Sequence, residues 1–210
     1  NQDTFDFLVL NRQDPVIGAL AKEAKSKVVY FQETGDMNPN QAAVLAVGSI
    51  LGIGKELVFK VFSEFKGVEH RLEKVAEINK VKFINDSKAT TAESALWALK
   101  NISCPVILIA GGRHKGIDYR VILDAAKLKV KKAILIGEAR QIIKDALAGA
   151  LPVEEADSLQ EAVNKAFKSA LPGDCVLLSP MCSSFDMFTD YEDRGRIFKK
   201  IVNDLAKAIS

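Results

Sequence analysis

The most chemically equipped stretch of the sequence is residues 85–91, Asn-Asp-Ser-Lys-Ala-Thr-Thr. An acid, a cation and three hydroxyls in one turn are more than a turn requires. The stretch follows an apolar run over residues 81–84 and precedes a helical pattern over residues 92–99. In open α/β sheets ligands bind where a strand gives way to a helix, and the free N–H groups of the helix start favour anions. We therefore predict an anion-binding site here.

Three further polar clusters follow predicted strands at the same end. Residues 111–116 (Gly-Gly-Arg-His-Lys-Gly) follow a strand over 106–110, Gly137-Glu138 follows one over 133–136, and residues 179–184 (Ser-Pro-Met-Cys-Ser-Ser) follow one over 175–178. Because the carboxyl ends of parallel strands meet at one edge of a sheet, we expect these clusters to converge. The cations Lys88 and Lys115 would then suit a ligand with carboxylates or phosphates.

Each cluster also has a simpler interpretation. Ser87 or Thr90 could merely cap the following helix, the glycines after Ala110 could form only a tight turn, and residues 179–184 could be an ordinary loop. The pair His70-Arg71 could form an interdomain salt bridge, or it could reach a nucleotide held between domains. A common edge for several polar loops favours a site over these alternatives.

The elements that position the clusters follow from hydrophobic periodicity. The first part predicts strands at 5–10 and 27–31 and helices at 16–24, 40–51 and 55–65, with a break at 34–39 and a boundary at Gly67. The second part alternates the strands at 81–84, 106–110, 133–136 and 175–178, and a weaker one near 151–153, with helices at 92–100, 119–128, 139–148, 158–171 and 191–208. Continuous apolar strands in β-α-β-α order predict an α/β fold with a mostly parallel, Rossmann-like sheet.

Composition restricts the function classes. The 210 residues carry a net charge of +2, 48% hydrophobic and 27% charged residues, which is typical of a globular protein and gives no basis for nucleic-acid binding. No apolar run is long enough for a membrane span, so we expect no membrane association. The three cysteines include no C-x-x-C pair, and Cys104 and Cys175 are interpreted as buried thiols of a cytoplasmic protein.

Several familiar sites are absent from the sequence. Residues 48–55 resemble a phosphate-binding loop, but the glycine spacing is wrong and Glu56 stands where Ser or Thr should follow Lys55. There is no G-x-G-x-x-G, and His70 and His114 are too few and too far apart to predict a histidine metal site. We assign no metal ligands within the chain.

At the polar clusters the sequence resembles the Mur ligases of peptidoglycan synthesis, and within them the branch that adds D-glutamate. The matching segments run in the family order from residue 67 to the end: Gly67-Val68-Glu69-His70-Arg71-Leu72-Glu73, residues 85–90, Gly111-Gly112 with Lys115-Gly116, residues 179–188 and Tyr191-Glu192-x-Arg194-Gly195. The Asp-Ser-Lys-Ala-Thr version separates this branch from sister ligases.

The resemblance implies a three-domain enzyme, of which this chain looks like a C-terminal fragment. Residues 1–67 would be the end of the central ATP-binding domain, and residues 68–210 the Rossmann-like domain that binds the amino acid. The UDP-sugar domain, the phosphate loop, the Mg²⁺ ligands and the family's carbamylated lysine would lie upstream. The resemblance therefore implies that this chain alone is inactive and that the enzyme is a cytoplasmic monomer.

The implied reaction is ATP-driven amide formation between D-glutamate and UDP-N-acetylmuramoyl-L-alanine through an acyl phosphate. Carried over by position, Asn40 would contact adenine, Asp86 the ribose, and His70 and Arg71 the rest of the nucleotide. D-Glutamate would be held by a second group of side chains: Lys88, Thr90, Lys115, Ser184 and Tyr191. The resemblance gives the directly catalytic roles to Lys88 and Arg71.

One departure bears on Asn40. The segment between Phe31 and Asn40 is shorter than in the family, either because this lineage lacks extra strands or because residues are missing. Two alternatives for the whole chain also stay open: a non-catalytic nucleotide- or amino-acid-binding module, and another ligase of the superfamily such as a folylpolyglutamate-type enzyme.

Overall fold

The computed structural model describes residues 2–35 and 37–209, with the backbone alone of Ala19 and Leu20. The chain divides into two compact units, Asn1–Lys66 and Gly67–Ser210. The predicted break at 34–39 includes Asp36, which lies outside the described residues. Among the described helices none has the length and apolarity that a bilayer crossing requires.

The first unit is a small α/β layer. Its two parallel strands are β1 (Phe7–Asn11) and β2 (Lys27–Phe31), joined through α1 (Pro15–Leu20) and a 3-10 turn (Ala21–Glu23). Two helices follow, α2 (Pro39–Ile50) and α3 (Lys55–Glu64), and α2 packs on both strands. Helix α2 begins at a capping box, in which Asn38 and Gln41 each bond the other's backbone N–H.

The second unit is built on a six-stranded sheet with the order β3-β4-β8-β5-β6-β7. Strands β4 to β8 are all parallel, and only β3 is antiparallel. This confirms the predicted α/β class with a mostly parallel sheet. The strand bounds are β3 (Glu73–Ile78), β4 (Val81–Asn85), β5 (Val106–Gly111), β6 (Val130–Ile136), β7 (Val153–Glu155) and β8 (Cys175–Leu178).

Helices cover both faces of this sheet. On one face α4 (Ala92–Asn101), α5 (Leu123–Lys129) and α6 (Arg140–Ala146) pack over alternate strand residues such as Leu108 and Leu177. On the other face α7 (Leu159–Ser169) and α8 (Tyr191–Ile209) pack over the intervening residues, including Ile109 and Leu178. Burial on both sides explains why the strands read as continuous apolar runs.

The sequence did not predict β3. Its residues, Glu-Lys-Val-Ala-Glu-Ile, include three charged side chains, which lower the apparent strand propensity. The strand forms because Asn79 and Lys80 both adopt positive φ, 50° and 65°, and so make a tight hairpin turn onto β4. The predicted helix over 119–128 also starts differently, as a 3-10 turn (Tyr119–Ile122) that leads into α5.

Candidate functional site

The polar loops meet at the carboxyl edge of the parallel strands, where backbone hydrogen bonds join them. The Met181 N–H donates to the Ala89 carbonyl at 2.9 Å, joining the loop after β8 to the loop after β4. The Arg113 N–H donates to the Ser183 carbonyl at 2.9 Å, joining the loop after β5 to the same β8 loop. The structure therefore brings residues 85–91, 111–116 and 179–184 into one assembly.

Close packing between these loops depends on glycine. Gly112 has a φ of +136°, and a Cβ at this position would overlap the Ser183 carbonyl oxygen. Nearby, buried Met181 adopts a φ of +62° although it is not glycine. Such backbone costs about 1–3 kcal/mol and collects at functional sites. The β8 loop is thus more constrained than an ordinary connection.

Helix capping explains only one of the three hydroxyls in residues 85–91. The N-cap of α4 is Thr91, whose Oγ1 accepts the Ser94 N–H at 3.3 Å. The Ser87 hydroxyl instead donates to the Tyr191 carbonyl at 2.8 Å. The simpler interpretation, that Ser87 or Thr90 caps the helix, is therefore wrong.

Asp86 is a buried carboxyl group held by two donors. Its Oδ2 accepts from the Ser179 hydroxyl at 2.9 Å, and its Oδ1 accepts from the Leu72 N–H at 3.2 Å. Burial raises the pKa of Asp86 to about 6, although both hydrogen bonds and the Arg71 charge act to lower it. The group is therefore fixed in direction and costly to ionise.

The two residues of the pair His70-Arg71 lie in different surroundings. The His70 ring is buried, with Nδ1 2.9 Å from Asn85 Nδ2, and it occupies the space that a side chain at Gly195 would need. Arg71 is exposed. His70 therefore packs inside the second unit, whereas the Arg71 guanidinium is open to a ligand.

The residues expected to bind the amino acid lie along the same edge. Lys88 is half-buried, with its Nζ 5.5 Å from the centre of the Tyr191 ring, an arrangement that orients the ammonium group. Ser184 is buried, Thr90 is half-buried and Lys115 is exposed. Lys115 is also near enough to Cys182 for its charge to lower the pKa of that thiol, which burial raises to about 11.

The sequence alone assigns no role to Arg194, although the residue belongs to the segment Tyr191-Glu192-x-Arg194-Gly195. Arg194 is fully buried and donates from Nε and Nη2 to the hydroxyl and carbonyl of Ser87, at 2.9 and 2.8 Å, and from Nη1 to the Cys182 carbonyl at 3.2 Å. A signal was available, because Arg194, Phe198, Ile201 and Val202 follow the helical spacing of one buried face. An arginine on such a face needs internal acceptors.

Three potential metal ligands, Glu69, His70 and Glu73, lie within 4.8 Å of one another. The Lys199 ammonium bonds both carboxylates, and His70 Nδ1 is engaged by Asn85. Because the Lys199 ammonium already occupies both carboxylates and Asn85 engages the histidine, we assign the cluster no metal. Asn40 belongs to the first unit, where it is exposed in the first turn of α2.

Comparison with known proteins shows which family and which relatives this chain resembles. Residues 70–182 match the family described as "Mur ligase, glutamate ligase domain". A protein of Caldanaerobacter subterraneus named UDP-N-acetylmuramoylalanine–D-glutamate ligase is 39% identical over 242 residues, covering 99% of this chain and 54% of the relative. One of the same name from Chlorobaculum parvum is 48% identical over 167 residues, covering 80% of this chain and 36% of the relative. The chain thus spans about half the length, or less, of these relatives.

Solved structures share the fold at low sequence identity. MurF ligase from Thermotoga maritima, in complex with ADP, aligns with a TM-score of 0.69 at 14% identity, over 97% of this chain and 55% of that protein. Folylpolyglutamate synthase from Mycobacterium tuberculosis, complexed with ADP and AMPPCP, gives 0.68 at 14% identity over 91% and 55%. With more than half of its residues matched by the family, this chain belongs to the Mur ligase family.

Proposed function

We propose that residues 67–210 bind the incoming D-glutamate of an ATP-dependent ligase that joins it to UDP-N-acetylmuramoyl-L-alanine in peptidoglycan precursor synthesis. The observation that carries this proposal is the assembly of the loops with Lys88, Lys115 and Ser184 at one edge, in a chain whose relatives are named D-glutamate ligases. Because the chain spans about half of those relatives, the activity is proposed for the whole protein, acting as a cytoplasmic monomer.

The chemistry of D-glutamate fits these side chains. Its two carboxylates call for two cations, which Lys88 and Lys115 supply, while the hydroxyls of Thr90 and Ser184 fix the geometry. The Tyr191 ring orients the Lys88 ammonium. The amine of D-glutamate then attacks an acyl phosphate, a step that needs positioning and charge neutralisation rather than a protein nucleophile.

Four residues of this chain are proposed to bind or support the nucleotide: Asn40, His70, Arg71 and Asp86. Arg71 is exposed and offers a planar donor fork to phosphate, and Asp86 offers carboxylate lone pairs to ribose hydroxyls. His70 is buried, so it would act beneath the nucleotide site and not by touching the nucleotide. Asn40 is proposed as the adenine contact. ATP supplies the phosphoryl group that activates the carboxylate, and we assign its Mg²⁺ ligands to no residue of this chain.

Amide-resolved NMR titration of the ¹⁵N-labelled 210-residue chain tests the binding role directly. D-Glutamate should shift the amides of residues 87–91, 113–116 and 183–185, and L-glutamate should shift them less. Lys88→Ala should raise the dissociation constant for D-glutamate about tenfold or more, because a charge-assisted hydrogen bond is worth about 1.5–3 kcal/mol. Lys168→Ala, an exposed lysine in the last turn of α7, is the matched control. Shifts confined to other surfaces would refute the assignment.

Catalysis separates this proposal from a non-catalytic binding module of the same fold. The 210-residue chain should bind D-glutamate but show no ATP turnover with UDP-N-acetylmuramoyl-L-alanine, because its sequence has no phosphate loop. The full-length protein should release phosphate only when all three substrates are present. Binding without turnover by the full-length protein would favour the module.

A further inference from the structure

Arg194 carries a buried positive charge that no acid neutralises directly. Its guanidinium is fully buried, and within residues 2–35 and 37–209 no carboxylate forms an ion pair with it, although the charge of Asp186 acts on it from a distance. Its partners are a hydroxyl and two carbonyls, those of Ser87 and Cys182. Burial lowers the pKa of Arg194 to about 10, so the group stays charged at neutral pH. Burying a charge of this kind costs free energy unless the group is hydrogen-bonded and a charge of opposite sign compensates it.

The contacts of Arg194 connect the elements that carry the candidate ligand-binding side chains. It bonds the residue immediately before Lys88, and it bonds Cys182, two residues before Ser184. The Ser87 hydroxyl, which accepts from Arg194, donates in turn to the carbonyl of Tyr191. Its Nη1 also lies 3.4 Å from where a Cβ on Gly112 would stand, in the loop that carries Lys115. The guanidinium thus lies beneath the junction of three loops and the start of α8.

We propose that Arg194 is a positioning residue for the diacid ligand. It holds the Lys88 loop against the Ser184 loop, and it places a fixed positive charge under both. This inference rests on the proposed function. Arginine suits the role because its rigid fork reaches acceptors on two loops at once, whereas the compact ammonium of lysine cannot span them.

The fixed charge has a further consequence for binding. Asp186 exerts its negative charge on Arg194 without pairing with it, and an anion bound above the loops adds a second negative charge nearby. Ligand binding and loop order are therefore coupled: the ordered loops present the lysines, and the bound carboxylates compensate the arginine beneath. A side chain with a purely structural role would stabilise the fold without this coupling.

Arg194→Lys tests the proposal, with Arg196→Lys as the control. Arg196 lies on the same helix, is exposed, and pairs with Glu192. The first measurement is amide hydrogen exchange in the ligand-free chain. In Arg194→Lys the Met181 amide, which bonds Ala89, and the Lys88 amide, which bonds His70, should both exchange at least about tenfold faster. The Ala133 amide, bonded to Pro152, should not change.

The second measurement is D-glutamate affinity, corrected for the folded fraction. Arg194→Lys should weaken binding about tenfold or more, and Arg196→Lys should leave it unchanged. If Arg194→Lys does not fold, Ser87→Ala replaces it, because this variant removes only the hydroxyl that links Arg194 to Tyr191. For Ser87→Ala we expect the same two effects at smaller size.

The outcomes are distinct. A lower melting temperature with unchanged exchange at the two loops, or with unchanged affinity of the folded protein, overturns the positioning role. Failure of the wild-type chain to bind D-glutamate would refute the proposed function instead. The exchange measurement would then still decide whether Arg194 ties the two loops together.

Discussion

Asp86 should lower the stability of the protein at neutral pH, and replacing it with asparagine should restore that stability. The pKa of Asp86 rises from 3.8 to about 6 on folding, chiefly because the carboxyl is buried. One pKa unit corresponds to about 1.36 kcal/mol, so ionised Asp86 costs roughly 3 kcal/mol of unfolding free energy above pH 7. The amide introduced by Asp86→Asn would keep both hydrogen bonds, accepting from the Leu72 N–H and donating to the Ser179 hydroxyl oxygen.

The pH dependence gives this prediction its sign. A pKa that is higher in the folded state means that folding takes up a proton between pH 4 and 6. The stabilisation from protonated Asp86 is fully present below pH 3.8 and is lost as the pH rises through 6. The difference between Asp86→Asn and wild type should therefore grow from about 0.5 kcal/mol at pH 4 to at most about 3 kcal/mol at pH 7.5.

Urea unfolding measured through Trp97 fluorescence suits the experiment, because Trp97 is the single tryptophan and lies on α4 in the same unit as Asp86. Carboxylates such as Glu154, whose pKa is lowered by Lys132, give the opposite pH dependence. Their contribution is the same in wild type and variant, so it cancels in the difference between the two unfolding free energies. Asp145→Asn, at an exposed site on α6, is the control. Equal stabilities for Asp86→Asn and wild type from pH 4 to 7.5 would refute the reasoning.

Three further predictions concern single residues. If the proposed function holds, Lys115→Ala in the full-length protein should raise the KM for D-glutamate more than the KM for ATP in steady-state assays, and equal increases would argue against the assignment. Gly195→Ala should destabilise the second unit by about 2 kcal/mol or more in urea, because its methyl would overlap the buried His70 ring; a neutral effect would show that the ring can move. Thr91→Ala should cost about 1 kcal/mol by the same measurement through loss of the α4 cap. Thr90→Ala should cost less, and the reverse order would contradict the observed cap.

The second unit was largely predictable because its strands are apolar on both faces. The strands near residues 106–110 and 175–178 needed only a continuous hydrophobic run, and the structure buries every residue of β5 and β8. Strand β3 escaped prediction because its pairing depends on a turn with positive φ at Asn79 and Lys80, which propensity does not encode. The position of β8 between β4 and β5 is likewise a matter of long-range pairing.

The candidate site was predictable in outline only. The sequence predicts the loops at one edge because the direction of parallel strands alone determines at which end of the sheet the following loops lie. It did not distinguish buried His70 from exposed Arg71, since that difference arises from packing of the ring against Gly195. It also gave Arg194 no role, because the partners of Arg194 are contributed by a residue more than a hundred positions away and by a backbone carbonyl.

The central place of β8 has a consequence for how the protein forms during synthesis. Strands β4 and β5 each pair with β8 and not with each other, so the sheet stays in two separate pieces until the chain has been made through Leu178. Such late, distant pairing slows folding and leaves unpaired strand edges exposed in the meantime. A ribosome stalled before this strand would hold the β3–β4 hairpin and the β5–β7 strands with no element to join them.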